Sequence, residues 1–303
     1  MPKTPSRIHS GLVGARALVG EAYLADTQLR QEYASEIAPR TVAALESIFT
    51  GLALPVPRRV LDLGAGTGAV SEAVRTRWSG VEIVAVDKVA GPGIVRADVT
   101  RALRPPTVQG RFDLIVAAHL LNELTLDVDG RARLVTGWCR ELLEEHGTCV
   151  LLEPALRETS RGLLAVRDRL LPAGLLVVAP CLWQGACPAL VRERDFCHTS
   201  APAIAQGRSR VDFSYLVLRK QGAPCTDPSL FRIVSDAMKD KGRLRFHACG
   251  PAGRLLVTRL DRDRSPGNQL LDQIERGAVV KIESAAMQPD GLRCGRDSEI
   301  LRG

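Results

Sequence analysis

Between positions 12 and 49 apolar residues recur at helical spacing, through Leu18, Tyr23, Leu24, Leu29, Tyr33, Ile37, Val42, Leu45, Ile48 and Phe49. That period predicts two helices with a break near Pro39, whose missing N–H interrupts a helical ladder. Pro55 and Pro57 then close the helical region. The next hundred residues alternate short β-rich apolar runs with helical patterns. Strands are expected over 59–63, 81–86, 93–96, 112–117 and 148–152, and helices over 69–78 and 131–145. Runs apolar on both faces belong to a parallel sheet covered by helices on both sides, so the fold class is α/β.

Farther along, a helix is expected over 161–171 and strands over 175–179 and 211–218, antiparallel to each other with a Cys-containing loop between them. A Pro- and Gly-rich segment follows, then a hairpin-like pair, 244–248 and 254–260, about Gly250-Pro251-Ala252-Gly253. The last 40 residues are basic and turn-rich and show no period. The organisation expected is an N-terminal helical region (1–54), an α/β domain (55–220) with a Cys-rich loop at 180–200, and a basic, β-rich C-terminal extension (221–303).

Composition narrows the class. With 303 residues, 45% hydrophobic and 25% charged, and a mean hydropathy of zero, the chain is neither collagen-like nor disordered. Its most apolar stretch, 174–183, is broken by Pro180 and is too short to span a bilayer, so no membrane partner is expected. Residues 1–155 hold 17 Lys and Arg against 18 Asp and Glu, while 156–303 hold 24 against 16. The surplus behind the net charge of +7 is therefore C-terminal, where it suits a polyanionic partner. Eight cysteines are too few for a disulfide scaffold, and residues 1–20 lack the apolar core of a secretory signal, which points to a reduced compartment. Lys3, Arg7 and Arg16 precede the first acid, Glu21, giving a weak likeness to a mitochondrial transit peptide. A bacterial cytoplasm is the expected location and a mitochondrial matrix the alternative. The chain is read as a monomer.

The first expected strand, Val60-Leu61-Asp62-Leu63, enters Gly64-Ala65-Gly66-Thr67-Gly68-Ala69, and a helix starts at once. A glycine-rich turn there brings a ligand to the backbone at the carboxyl edge of a parallel sheet. The loop formally satisfies the dinucleotide pattern, so NAD competes. Asp62 argues against it: a carboxylate beside the loop repels a pyrophosphate but suits the ammonium and sulfonium of S-adenosylmethionine (SAM). Asp87, closing the second strand, is placed to accept ribose hydroxyls, and Asp98 to accept from an adenine amino group. With Asp62, Gly64, Ala65, Gly66, Gly68 and Ala118 they form the expected cofactor site. This pattern, with Phe112-Asp113-Leu114-Ile115-Val116 after it, resembles the class I SAM-dependent methyltransferases. The resemblance implies a seven-stranded, Rossmann-like sheet with a reversed last strand.

After the fourth strand the chain reads Ala118-His119-Leu120-Leu121-Asn122-Glu123-Leu124. No Asn-Pro-Pro-Tyr tetrad is present, and Pro180-Cys181 and Thr148-Cys149 stand in the wrong places for a cytosine-methylating nucleophile. His119, Asn122 and Glu123 are the candidate catalytic residues, as groups that orient an acceptor or relay a proton. Cys181, Cys187 and Cys197 follow a C-x5-C-x9-C spacing, without the C-x2-C knuckle of structural zinc sites. Cys249, beside the expected hairpin, is the best fourth ligand; His198 and His247 are substitutes if the metal is zinc.

The combination of the segment 118–124, Glu153-Pro154, Ala179-Pro180-Cys181, Cys187-Pro188, Phe213-Ser214-Tyr215-Leu216-Val217-Leu218-Arg219 and Cys249 resembles the methyltransferase-like assembly factors of the mitochondrial small ribosomal subunit and their bacterial relatives. That resemblance implies a [4Fe-4S] cluster on Cys181, Cys187, Cys197 and Cys249, and action on the small subunit and its rRNA. Either the chain methylates rRNA, or it is a non-catalytic factor using SAM and the cluster as structural or sensory ligands. Two departures stand out: the family's Glu-Pro-Gly-Thr is here Glu153-Pro154-Ala155-Leu156, on the acceptor side, and the last 40 residues align with nothing. The expected rRNA contacts are the C-terminal arginines, Arg157, Arg161, Arg167, Arg169, Arg192, Arg194, Arg208 and Arg210, then Arg243, Arg245, Arg254 and Arg259.

Overall fold

A computed structural model describes residues 6–52, 54–101, 103, 108–205 and 208–303. The chain opens on one helical turn, α1 (Arg7–His9), which leads into a π-helical turn, Ser10–Gly14. α2 (Thr27–Glu36) is capped by Asp26, whose carboxylate accepts from the Gln28 and Leu29 N–H groups. α3 (Ala38–Gly51) carries Pro39 in its first turn, where a missing N–H is tolerated, so the break falls at Ile37. Leu18 and Tyr23, expected in a helix, instead lie in a strap of turns, because positive φ at Arg16 (55°) and Gly20 (86°) ends the helical run.

The first sheet contains β1 (Arg59–Leu63), β2 (Glu82–Asp87), β3 (Ile94–Arg96), β4 (Phe112–Ala118), β5 (Leu143–Pro154), β6 (Leu176–Ala179), β7 (Thr199–Ala205) and β8 (Arg208–Arg219). The strand order is β3-β2-β1-β4-β5-β8-β6, with β7 paired to β8. β1 to β5 run parallel, and β8 runs antiparallel to both β5 and β6. The reversed strand is as expected, but the sheet has eight strands rather than seven. The extra one is β7, which occupies part of the expected Cys loop and forms a hairpin with β8.

Three further helices pack on this sheet: α4 (Ala69–Arg77), α5 (Val128–Glu141) and α6 (Arg157–Leu170). Alternate residues of β4 explain why both faces are covered. Ile115 and Ala117 join Val135, Trp138, Leu163 and Val166 of α5 and α6, whereas Leu114 and Val116 join Leu45, Phe49, Val70 and Val74 of α3 and α4. α5 begins and ends earlier than its period suggests: Asp127 caps the Gly130 N–H at 2.6 Å, and Leu143 is already paired with Phe112 in the sheet. α6 starts at Arg157, four residues early.

The second sheet holds β9 (Leu230–Ile233), β10 (Met238–Asp240), β11 (Arg243–Gly250), β12 (Gly253–Leu260), β13 (Val279–Glu283), β14 (Ala286–Gln288), β15 (Gly291–Cys294) and β16 (Glu299–Arg302). Its order is β14-β15-β12-β11-β9-β13-β16, with β10 on β11. The expected hairpin is β11–β12, and the unassigned tail supplies four more strands. Their inward residues, Val280, Ile282, Leu292 and Ile300, bury against Phe231, Phe246 and Val257. No helix among the described residues is long and apolar enough to cross a membrane.

Candidate functional site

The strand order reverses between β1 and β4, and a cavity opens at the carboxyl ends of β1, β2 and β4. Gly64 (φ 75°) and Gly66 (φ 55°) take left-handed conformations that a side chain would strain. A Cβ on Gly64 would also stand 2.9 Å from Leu120 Cδ1, and one on Gly66 3.3 Å from Leu24 Cδ1. The Gly64 and Ala65 N–H groups both donate to the Val86 carbonyl (2.8 and 3.0 Å), tying the loop to β2. Asp87 holds the loop from the other side: its carboxylate accepts from the Gly66 N–H (2.9 Å) and the Val89 N–H (2.8 Å).

Gly64, Gly66, Asp87, Asp98, Ala118, His119 and Glu123 line this cavity, while Ala65, Gly68 and Asp62 do not. Asp62 is a correction to the expectation of direct ligand contact. Its side chain is entirely buried behind the loop, one oxygen accepting from Ser71 Oγ (3.2 Å) and the other without a partner. Burial, reinforced by the Asp87 charge, pushes its carboxyl up to about 7. Asp98 is exposed and mainly forms a turn, accepting from the Thr100 N–H (3.0 Å) and hydroxyl (2.7 Å), bonds that hold its carboxyl below the usual range.

The strap around Tyr23, a segment expected to be helical, covers this cavity. Tyr23 and Leu24 enter it, Tyr23 OH donates to Glu123 Oε1 (2.8 Å), and Lys88 Nζ donates to the Gly20 carbonyl (3.0 Å). The space left is about 100 Å³, well short of the roughly 300 Å³ at which ligand pockets begin. The available signal was Asp26, a strong N-cap before an apolar period, which would have started the helix at 27 and freed the preceding residues.

The three candidate catalytic residues do come together, each already engaged. His119 has a positive φ (57°), its Nε2 lies 3.0 Å from Thr41 Oγ1, its Nδ1 has no partner, and burial lowers its pKa to about 4, leaving it neutral. Asn122 Nδ2 donates to Glu153 (2.6 Å), and its oxygen accepts from Arg16 (3.2 Å). Burial raises Glu153 to about 8 and Glu123 to about 7. Across His119 lies a second, mostly apolar cavity of about 230 Å³, lined by Leu12, Ile37, Pro154, Ala155, Leu156 and Phe213 and sharing His119 and Glu123 with the first. The departure at Ala155-Leu156 therefore falls on the wall of this second cavity.

The four predicted cysteines converge at a third site. Cys181, Cys187, Cys197 and Cys249 line one cavity of about 40 Å³, with Arg167, Arg232 and Arg254 beside them. Three come from the segment between β6 and β7, and Cys249 comes from β11 of the second sheet. Burial pushes the Cys187 and Cys249 thiols up to about 12. Neither His198 nor His247 lines the cavity, so the donor set is sulfur alone, which suits soft metals and iron–sulfur clusters. Among the described residues no three His, Cys, Asp or Glu side chains are grouped for a single metal ion. Cys139 and Cys149 are buried in the first core and Cys294 in the second.

A family model described as mitochondrial small ribosomal subunit Rsm22 matches residues 22–265. The chain belongs to the Rsm22 family. It is 25% identical over 234 residues to the human "Ribosome assembly protein METTL17, mitochondrial", covering 66% of this chain and 49% of the relative. The chain thus spans about half the length of that relative. Similar solved structures include a TehB-like SAM-dependent methyltransferase from Corynebacterium glutamicum (18% identity, 65% of this chain and 100% of that one, TM-score 0.40). Another is the plantazolicin methyltransferase BamL (9%, 71% and 95%, TM-score 0.43). In this Rsm22-family chain the sheet order β3-β2-β1-β4-β5-β8-β6 with a reversed β8 is the arrangement expected of a class I methyltransferase, and the second sheet is attached to it.

Several arginines expected on RNA are structural instead. Arg167 is 1% exposed and pairs with Asp168 (2.5 Å); Arg259 is 2% exposed and pairs with Asp272 (2.5 Å). Arg161 donates to the Ala189, Leu190, Arg192 and Asp195 carbonyls and so braces the Cys segment. Burial and these partners withdraw them from any phosphate. Arg157, Arg169, Arg192, Arg194 and Arg210 are exposed, and the Arg208 side chain lies outside the described residues.

Proposed function

We propose that this Rsm22-family chain is an assembly factor for the small ribosomal subunit that binds SAM and carries a metal–thiolate centre, a [4Fe-4S] cluster before zinc. The observation that carries the SAM reading is the acid-lined cavity at the β1/β4 switch point. Among the described residues Glu21, Asp87, Asp98 and Glu123 face it against one cation, Lys88, and the orphaned oxygen of Asp62 lies behind it. That lining favours an ammonium and a sulfonium over the pyrophosphate of NAD. Asp87 would hold ribose hydroxyls, and the glycine loop would admit the nucleoside once Tyr23 and Leu24 withdraw. SAM supplies an activated methyl group when bound. The all-sulfur lining at Cys181, Cys187, Cys197 and Cys249 supports the metal centre.

Action on the subunit is supported by family membership and by the human relative's role in ribosome assembly. The exposed arginines offer phosphate contacts, and the relative's mitochondrial location favours the matrix over a bacterial cytoplasm. The engagement of His119, Asn122 and Glu123 by Thr41, Glu153 and Tyr23 favours a binding role. Methyl transfer to rRNA stands as the second reading, favoured by the 230 Å³ cavity across His119. The test is calorimetry with SAM and NAD, then transfer of a radiolabelled methyl group from SAM to small-subunit particles lacking the protein, with Asp87→Ala beside wild type. Binding of SAM without label supports the assembly role; label in rRNA that depends on Asp87 supports catalysis; tighter NAD binding defeats both.

A further inference from the structure

Arg232 lies in β9 of the second sheet, directly opposite Cys249 of β11 in the strand register. It is 3% exposed, yet every partner of its guanidinium is neutral. One Nη donates to the Pro180 carbonyl (3.4 Å), the other to Thr199 Oγ1, the Tyr215 ring centre is 5.8 Å away, and Nε has no partner. Its neighbours differ: Arg167 pairs with Asp168 and Arg254 with Asp195 (3.2 Å). A buried charge without a counter-charge is strongly unfavourable. Three guanidiniums thus border the four-thiol cavity, and among the described residues the only lining groups able to carry negative charge are the cysteines.

We propose that Arg232 is the fixed counter-charge for a metal–thiolate centre held by these cysteines, and that it makes seating of the second sheet against the first depend on that centre being loaded. This rests on the metal reading above. Loading sends the thiol protons to solvent and leaves a dianion, whether the metal is a [4Fe-4S]²⁺ cluster or Zn²⁺. Three of its ligands belong to the first sheet's side, while Cys249 and Arg232 belong to the second. The loaded centre gives Arg232 the counter-charge it lacks and bridges both sheets. The empty one leaves a cation buried at their junction. A cation beside the centre also stabilises its reduced, more negative state and so raises its potential.

The experiment uses the full chain prepared anaerobically, stripped and then reconstituted with iron and sulfide, as wild type, Arg232→Met and Thr199→Val. Midpoint potential and the rise in Tm on loading are measured. Arg232→Met is expected to shift the potential to more negative values and to shrink the loading-induced rise in Tm by at least half, since the stripped protein is relieved of a buried charge and the loaded one loses its match. Thr199→Val, which removes one clamp bond and no charge, is expected to leave both near wild type. Equal loss of Tm in stripped and loaded Arg232→Met with an unchanged potential would overturn the proposal, as would a Thr199→Val that reproduces the whole effect. Where wild type takes up zinc alone, the Tm comparison decides. Wild type that takes up neither metal defeats the metal reading itself, an outcome separate from failure of Arg232.

Discussion

Asp62→Asn tests whether the carboxyl behind the glycine loop is held protonated in the ligand-free fold. The unfolded carboxyl ionises near 3.8 and the folded one near 7. Between those values the folded chain keeps a proton that the unfolded chain has lost, so stability falls as pH rises through the window, and the fall is complete above about 7. At about 1.36 kcal/mol per pKa unit, the displacement corresponds to about 4 kcal/mol at pH 8, an upper figure because a buried site relaxes. Asparagine keeps an acceptor for Ser71 Oγ and carries no charge. The variant should therefore match wild type near pH 4 and exceed it by about 2–4 kcal/mol at pH 8. Glu123 and Glu153 titrate in an overlapping window, raised to about 7 and about 8, so both proteins lose stability there and only their difference isolates Asp62. Urea unfolding at half-unit steps from pH 4 to 8.5 measures it. Parallel curves across the whole range would refute the reasoning, because Asp62 would then ionise normally, with a cation or water close by. Adding SAM should narrow the gap from the wild-type side, since a cationic ligand favours the ionised carboxyl.

Three further outcomes are expected. Leu24→Ala, which trims the strap from above Gly66, should cost about 2 kcal/mol of stability yet tighten SAM binding several-fold, read by urea unfolding and calorimetry; weaker binding would make the strap part of the site. Cys249→Ser should lower the metal content of anaerobic preparations and make 221–303 more sensitive to protease, measured by elemental analysis and limited proteolysis; unchanged content would remove Cys249 from the ligand set. Asp272→Ala leaves Arg259 buried without its carboxylate and should cost about 3 kcal/mol or more in denaturant unfolding, whereas a loss under about 1 kcal/mol would mean that water reaches the guanidinium.

Much of the first sheet was legible because its strands must be apolar on both faces, and a parallel sheet leaves few other arrangements. The boundaries that went astray did so for local reasons. The Asp127 and Asp26 caps start their helices where hydrophobic period alone cannot, and β7 pairs through a backbone ladder that the composition of 199–205 hardly signals. The second sheet was harder. β14, β15 and β16 are only three or four residues long, and the apolar residues at 279–302 are spaced by charges such as Lys281, Glu283, Arg293 and Glu299, so alternation is visible only once the partners are known.

The site divides along a physical line. Gly64 and Gly66 were readable because positive φ and close approach restrict those positions to glycine whatever else folds nearby, whereas the four cysteines were joined through the family resemblance, since their spacing alone pointed to a metal only weakly. The roles of His119, Asn122 and Glu123 depend on segments that are distant in sequence: Thr41 on α3, Glu153 on β5 and Tyr23 in the strap. Their place after β4 and their residue types marked the three as groups that orient an acceptor or relay a proton, yet the fold gives each a hydrogen-bond partner, with His119 Nδ1 left without one. A histidine lowered to about 4 is a neutral hydrogen-bonding group at physiological pH, and Glu123, near 7, is the one of the three able to change charge there. Any pH dependence of cofactor binding between 6 and 8 should therefore follow the carboxylates around the cavity, Glu123 in contact with the strap and Asp62 behind the loop. Tyr23→Phe would remove the hydroxyl that favours the Glu123 carboxylate, so this dependence should move to higher pH, while His119→Gln should leave it in place.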